Sequence, residues 1–403
     1  MYLINTKDLI FKGILIVQIM LVIDATFYVF HLESSQALSL IRYVFYFFGV
    51  YWIFKGLKDN HQHTSFLCFL FLLWNSYLIL TSLPKLSNPM QNHVIFKQFI
   101  SGKLFLYTLP FLICAEVDTS FFKMVFRLSY IMLIAYIILA IPVYYSDSTF
   151  ITNGQSEYIT FLAEGSIMLL FTFPYHRRKK IIHTTMAVLI AIIVMMLLAR
   201  RNKVVFYGGG LGLAIILNVL KGNINSTTKA FIIFSTLAGM VFIFNSGSLF
   251  DAFFNKMETG MSSRDQVIDD FFSDFNRTPS DWIFGRGLFG EFDAGLLNNN
   301  ENTGLRDAIE NGYLQHILKG GWIWLGLFIL ISIRSIYQGL FQSNNIFVKG
   351  CALLLLLYFL DMIGFGVPVP SLKYILVFLS ISVCSSRRWR NYTDNELQKQ
   401  LAI

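Results

Sequence analysis

The sequence predicts an all-α, polytopic membrane protein with about twelve transmembrane helices and one large helical loop. Three observations lead there. Hydrophobic residues make up 55% of the 403-residue chain and charged residues only 14%, with 41 Phe and 19 Tyr, which is outside the usual balance of a soluble domain. Apolar runs close to the ~20 residues needed to cross a bilayer recur from one end to the other. Lys and Arg gather at the ends of those runs. The formal charge of +8 is therefore not the footprint of a nucleic-acid binder, which would cluster its cations on one solvated face.

In chain order, spans are expected near 10–31, 36–55, 64–84, 98–117, 120–145, 156–175, 181–199, 203–220, 229–249, 320–340, 346–364 and 368–386. The first run has no small-residue cleavage site behind it and reads as a retained span. Gly208-Gly-Gly-Leu-Gly212 in the eighth is a small-residue run of the kind that lets helices approach closely in lipid. All four cysteines (Cys68, Cys114, Cys351, Cys384) fall in or beside apolar runs, so neither a disulfide, a metal site nor a cofactor is expected. Ionisable residues inside the spans are few: Asp24, Glu164 and Asp361.

The stretch from about 250 to 319, between the ninth and tenth spans, is different. Asp251–Lys319 holds 12 of the 24 acidic residues in 69 positions and has no long apolar run. Ser263 and Gln266 form a capping box that starts a helix at Arg264. Val267, Ile268, Phe271, Phe272 and Phe275 then give it an apolar stripe, and Asp265, Asp269, Asp270 and Asp274 its wet face. Trp282-Ile-Phe-Gly-Arg-Gly287 reads as a tight turn. A second helix is expected over about Leu305–Lys319, with His316 packed on its apolar stripe and Gly320-Gly321 ending it.

Lys and Arg in the short connections set the orientation. With both termini cytoplasmic, the inner connections carry Lys55 and Lys58, Arg177-Arg-Lys-Lys180, Lys221, Lys229, Lys349 and Arg387-Arg-Trp-Arg390, and the large loop lies outside, in the periplasm of a Gram-negative host. Arg200-Arg201-Asn202-Lys203 breaks the rule on the outer side. Either the span count is off by one, or these cations bind an anion at the outer interface. Arginine suits bidentate phosphate recognition, and a lipid-linked pyrophosphate is the natural anion at that level.

Four features together resemble the O-antigen ligase and polymerase superfamily, most of all its Wzy-type O-antigen (surface polysaccharide) polymerases. They are Arg201-Asn-Lys203 opening a span, Ser262-Ser-Arg264 opening a loop helix, the Trp282–Gly287 turn, and Glu310-Asn-Gly-Tyr-Leu-Gln315 running into Gly320-Gly321. The resemblance implies a glycosyltransferase of the bacterial inner membrane. It would join undecaprenyl-pyrophosphate-linked glycan donor and acceptor among membrane lipids, with a polysaccharide chain-length regulator as a candidate partner. It also implies Arg201 and Arg264 as the groups that stabilise the departing pyrophosphate. Arg200, Lys203, Arg286, Asn311, Tyr313 and Gln315 would bind substrate. The family often carries His where this chain has Glu310. Glu310 either takes that residue's part at the acceptor hydroxyl, with Asp307 as another candidate base, or pairs with Arg306 one helical turn away. The superfamily's ligase, which transfers polymer to lipid A–core, uses the same donor. A polysaccharide-lipid flippase is the rival of another class.

Overall fold

The computed structural model describes residues 6–30, 36–59, 65–83, 102–145, 155–197, 201–220, 265–294, 304–364 and 367–401. Among them the chain is helical almost throughout, and the one sheet is a two-stranded antiparallel ladder. The helices are α1 (Thr6–Val29), α2 (Gln36–Asp59), α3 (Phe66–Ser82), α4 (Leu104–Thr108), α5 (Thr119–Tyr145), α6 (Gln155–Ala163), α7 (Ser166–Phe171), α8 (Arg178–Leu197) and α9 (Arg201–Leu220). Beyond them come α10 (265–277), α11 (Pro279–Phe284), α12 (Gly312–Phe341), α13 (Ile346–Gly364), α14 (Leu372–Ser385), α15 (Arg387–Asn391) and α16 (Asp394–Leu401).

Six of these helices are long and apolar enough to cross a membrane, the segments Asp8–Phe27, Leu38–Lys58, Thr119–Pro142, Arg178–Met196, Gly312–Phe341 and Ile346–Gly364. Five other expected spans coincide with shorter apolar helices: Phe66–Ser82, Leu104–Cys114, Ile159–Phe171, Lys203–Leu217 and Leu372–Ser385. The expected ninth span, 229–249, lies outside the described residues. Two of the shorter ones are interrupted for visible reasons. The fourth tightens at Pro110 into a 3-10 helix over Leu109–Cys114. The sixth breaks between α6 and α7, where Glu164 and Gly165 form a turn.

The outward faces are apolar, as lipid contact requires: Leu40, Phe47, Phe66, Ile131, Ile138 and Ile333 are all exposed. Inside, α12, α13 and α14 pack on one another, and α9 lies against α7, α8 and α13. Phe328 of α12 sits among Trp324, Tyr358, Phe359 and Phe378. α1 packs along α2 and α5, and Arg42 of α2 holds the buried Asp24 of α1, with two of its nitrogens on Oδ1 at 2.8 and 3.2 Å.

The loop folds onto the α12 end of this bundle. Val267, Phe271 and Phe275 of α10 are buried and Ile268 half-buried, as the stripe predicts, whereas Phe272 stays exposed and stacks on Trp282. The cap at Ser263 and Arg264 lies outside the described residues. The second loop helix starts later than expected. Leu305 and Arg306 pair with Asp293 and Phe292 as strand β2 (Leu305–Arg306) against β1 (Phe292–Asp293), and α12 begins at Gly312. The reason is local: Gly304 adopts φ +66, which turns the chain into the ladder, and Asn311 is the one residue whose side chain caps the helix, accepting from the Leu314 amide at 3.1 Å. Glu310 and Arg306 therefore do not share a helix, and the expected pairing across one helical turn is not available.

Candidate functional site

Gly320-Gly321 ends the first helical segment, as expected: α12 is two helical segments that meet in a kink at Gly321, whose φ of +67 is non-helical and favours glycine. The interruption frees backbone carbonyls from the helical ladder, and outside groups take them. Arg286 N donates to Leu318 O (2.8 Å), Gly287 N to Lys319 O (3.0 Å) and Trp74 Nε1 to Gly320 O (3.0 Å). The expected Trp282–Gly287 turn is the end of α11 followed by the Gly285–Gly287 turn, and with the two glycines of α12 it forms one device, a clasp that docks the loop on the bundle. Approach is close enough that a Cβ on Gly321 would lie 2.0 Å from Ile283 O, and one on Gly285 2.6 Å from Gly320 N.

Arg286 belongs to this clasp. Its guanidinium binds Asp274 and, at 2.7 Å each, the Asp281 carboxylate and the Glu291 carbonyl, and it lies 4.6 Å from the Phe275 ring centroid. Burial works against its charge, but the two carboxylates hold the guanidinium protonated more firmly than usual. The sequence expectation of a substrate-binding Arg286 meets a side chain engaged in holding α10, α11 and β1 together. Asp274, expected on the wet face, is its partner. Arg277, by contrast, makes only an exposed 3.7 Å pair with Asp293.

Gln315 is likewise turned inward. It is buried, accepts from Ile309 N at 2.9 Å and donates to Asp307 O at 3.4 Å. Asp307 bonds Lys103 at 3.1 Å. Burial opposes its charge, yet Lys103 and Lys319 keep its carboxyl below the usual carboxylate range, which makes it a poor base. His316 is packed as expected, stacked on Trp324 with 4.2 Å between ring centroids.

The remaining predicted pieces meet on the last turn of α13. Tyr313 donates its hydroxyl to Phe359 O at 2.9 Å, and Asn311 reaches Ile363 O at 3.5 Å. Between those two carbonyls in the chain stands Asp361. Its Oδ2 takes Lys373 Nζ at 2.7 Å. Lys373 also binds Glu164 Oε1 at 2.9 Å, Lys203 binds the same oxygen, and Ser371 donates to Glu164 Oε2 at 2.9 Å. Four ionisable groups from the α6–α7 break, α9, α13 and α14 thus form one buried network. Lys203 comes from the first turn of α9, Lys373 from the first of α14 and Asp361 from the last of α13, so the cluster lies about one turn below the helix ends that face the loop.

Lys203 was expected to face a substrate anion. Instead its side chain is 7% exposed, and its ammonium is paired with Glu164 and lies 5.0 Å from the Phe161 ring centroid. One of the three cations that break the charge rule is explained by that internal partner. Arg200 and Arg264 lie outside the described residues. Arg201 opens α9, but its side chain lies outside what is described. Glu310 is exposed, immediately before the cap of α12. Sequence reasoning missed the network because it noted Asp24, Glu164 and Asp361 as ionisable residues within spans without assigning them partners; the signal was that Lys203 and Lys373 both stand near the start of a span.

No metal-binding cluster of three or more His, Cys, Asp or Glu occurs among the described residues. No family model matches the chain, no curated protein is significantly similar to it, and no solved structure matches it.

Proposed function

We propose that the protein polymerises undecaprenyl-pyrophosphate-linked oligosaccharide repeats into O-antigen or a capsule-like polysaccharide at the periplasmic face of the bacterial inner membrane. Twelve spans with both termini cytoplasmic give this topology, and the Lys/Arg distribution supports it. The observation that carries the reading is the meeting of distant segments. Asn311 and Tyr313, beside Glu310, bond the last turns of α13, and Lys203, two residues after Arg201, is linked to Asp361 of the same helix end through Glu164 and Lys373.

In the proposed reaction the acceptor hydroxyl attacks the anomeric carbon of the donor sugar. The bond to the pyrophosphate breaks, and its electron pair leaves with the lipid anion. Arg201 and Arg264 stabilise that anion, and Glu310 takes the hydroxyl proton. Arg201→Ala or Arg264→Ala, in a deletion strain complemented with the variant, is expected to leave single-repeat lipopolysaccharide bands at a normal level of membrane protein. Normal polymer from Arg264→Ala would end the assignment. No bands at all, with lipid-linked polymer accumulating, would mean the ligase. Glu310→Gln is expected to cut polymer yield by roughly 10²–10⁴-fold, the usual contribution of a general base. Unchanged polymer at matched expression would remove Glu310 from the mechanism.

One observation favours the flippase reading: a helix broken at Glu164-Gly165, with the break inside a buried ionic network, is a feature of transporters. A flippase deletion would also give no bands, but its lipid-linked single repeats would remain on the cytoplasmic leaflet, closed to periplasmic enzymes.

A further inference from the structure

The end of the bundle opposite the loop carries a second arrangement, independent of the reaction above. There α5 packs against α8. Tyr130 of α5 lies at the contact, with its hydroxyl 3.0 Å from His183 Nδ1 and its ring centroid 5.3 Å from Lys180 Nζ, both on α8. Arg127, one turn before Tyr130, is exposed and within electrostatic reach of Lys180. Arg177, Arg178 and Lys179 are exposed beside them.

Among the described residues none of the five cations takes part in an ion pair. The nearby acids are otherwise engaged. Glu116 faces Arg388 at 3.4 Å, Asp118 accepts from Ser120 and the Phe121 amide at the start of α5, and Asp394 accepts from the Tyr175 hydroxyl and the Ile346 amide at 2.6 Å each. Like charges held together at a membrane surface without acids lower the local potential for anions.

Each helix also continues the cationic end as an apolar stripe. On α5, Ile131, Ile134, Ile138 and Ile141 follow Arg127 at spacings of four and three, and all are exposed. On α8, His183, Met186 and Ile190 follow Lys179 in the same way, and all are exposed. Two lipid-facing stripes thus lead along adjacent helices to one group of unpaired cations, with a hydroxyl and an imidazole between them. That is the shape and charge of a phospholipid with an anionic head: acyl chains along the stripes, phosphate at Arg127 and Lys180, and headgroup hydroxyls within reach of the Tyr130–His183 pair.

We infer that the α5–α8 cleft is a binding site for an anionic phospholipid of the phosphatidylglycerol class. The test is native mass spectrometry of the full-length protein in mild detergent, titrated with phosphatidylglycerol or with phosphatidylcholine of the same acyl chains. The first phosphatidylglycerol is expected to bind at least tenfold more tightly than phosphatidylcholine. R127Q/K180Q is expected to weaken that first binding on the order of 30-fold, at roughly fivefold per surface cation. The matched control K55Q/K58Q removes two cations from the end of α2 and should change it less than twofold. Equal binding of the two lipids by the wild type would overturn the site, and that result does not depend on any variant folding. So would an equal loss in the control, which would mean a diffuse charge effect, or full retention in R127Q/K180Q.

Discussion

Lys373→Ala is expected to abolish most of the folded protein. Lys373 is 3% exposed and its ammonium is shared by Glu164 and Asp361, each 0% exposed, so its removal leaves Glu164 with Lys203 and takes from Asp361 the cation that pairs with it among the described residues. Breaking a buried pair by deleting one partner typically costs ~3–5 kcal/mol, because the charge left behind has lost its water as well as its partner. Total stabilities are ~5–15 kcal/mol. Asp361 is the weakest member of the network: among the described residues its Oδ1 has no hydrogen-bond partner even in the intact cluster. Fluorescence-detected size-exclusion after detergent extraction should show the monodisperse peak lost in Lys373→Ala. The double variant Lys373→Met, Asp361→Leu removes one charge of each sign and keeps Glu164 with Lys203 and Ser371. It should recover most of the peak. A wild-type profile for Lys373→Ala alone would refute the buried network.

Gly321→Ala is expected to detach the loop without unfolding the bundle. A Cβ there would overlap the Ile283 carbonyl at 2.0 Å, and the obstacle is backbone, not a side chain that can swing away. The φ of +67 adds strain of ~1–3 kcal/mol for any residue but glycine. The clash drives Ile283 off α12, so the bonds from Arg286 N and Gly287 N are lost with it. Trp282 packs on Phe271, Phe275 and Trp322, and its surroundings change with the clasp. Limited proteolysis should cut the variant within the loop at protease levels that spare the wild type, while α13 and α14 stay protected. Gly326→Ala in the same helix has open space around its Cβ and should behave as wild type. Equal protease resistance of both variants would show that the clasp does not hold the loop.

How much of this was legible in the sequence depends on the range over which each signal acts. Lipid demands apolar side chains and internally satisfied backbone, and it demands them over ~20 consecutive residues. Eleven of the twelve expected spans accordingly coincide with apolar helix, and the ninth lies outside the described residues. The α10 stripe was equally local, and Val267, Phe271 and Phe275 are buried as its spacing implies. The shift of the second loop helix was not legible, because Leu305 and Arg306 read as helix until their ladder partners, Asp293 and Phe292, are known. At Gly320-Gly321 the interruption of the helix was legible, but not what fills it: the amides of Arg286 and Gly287 arrive from another segment to take the opened carbonyls.

Charge was the least legible of all. Composition and spacing say which residues are ionisable, but whether Arg286 or Lys203 is free to meet a substrate depends on who stands beside it. Asp274 and Asp281 claim Arg286, and Glu164 claims Lys203 from 39 positions away. Hydrophobic burial is set largely by a residue's own chemistry and its neighbours in the chain. The pairing of a buried charge is set by a single partner at contact distance, and only the tertiary structure decides which one that is.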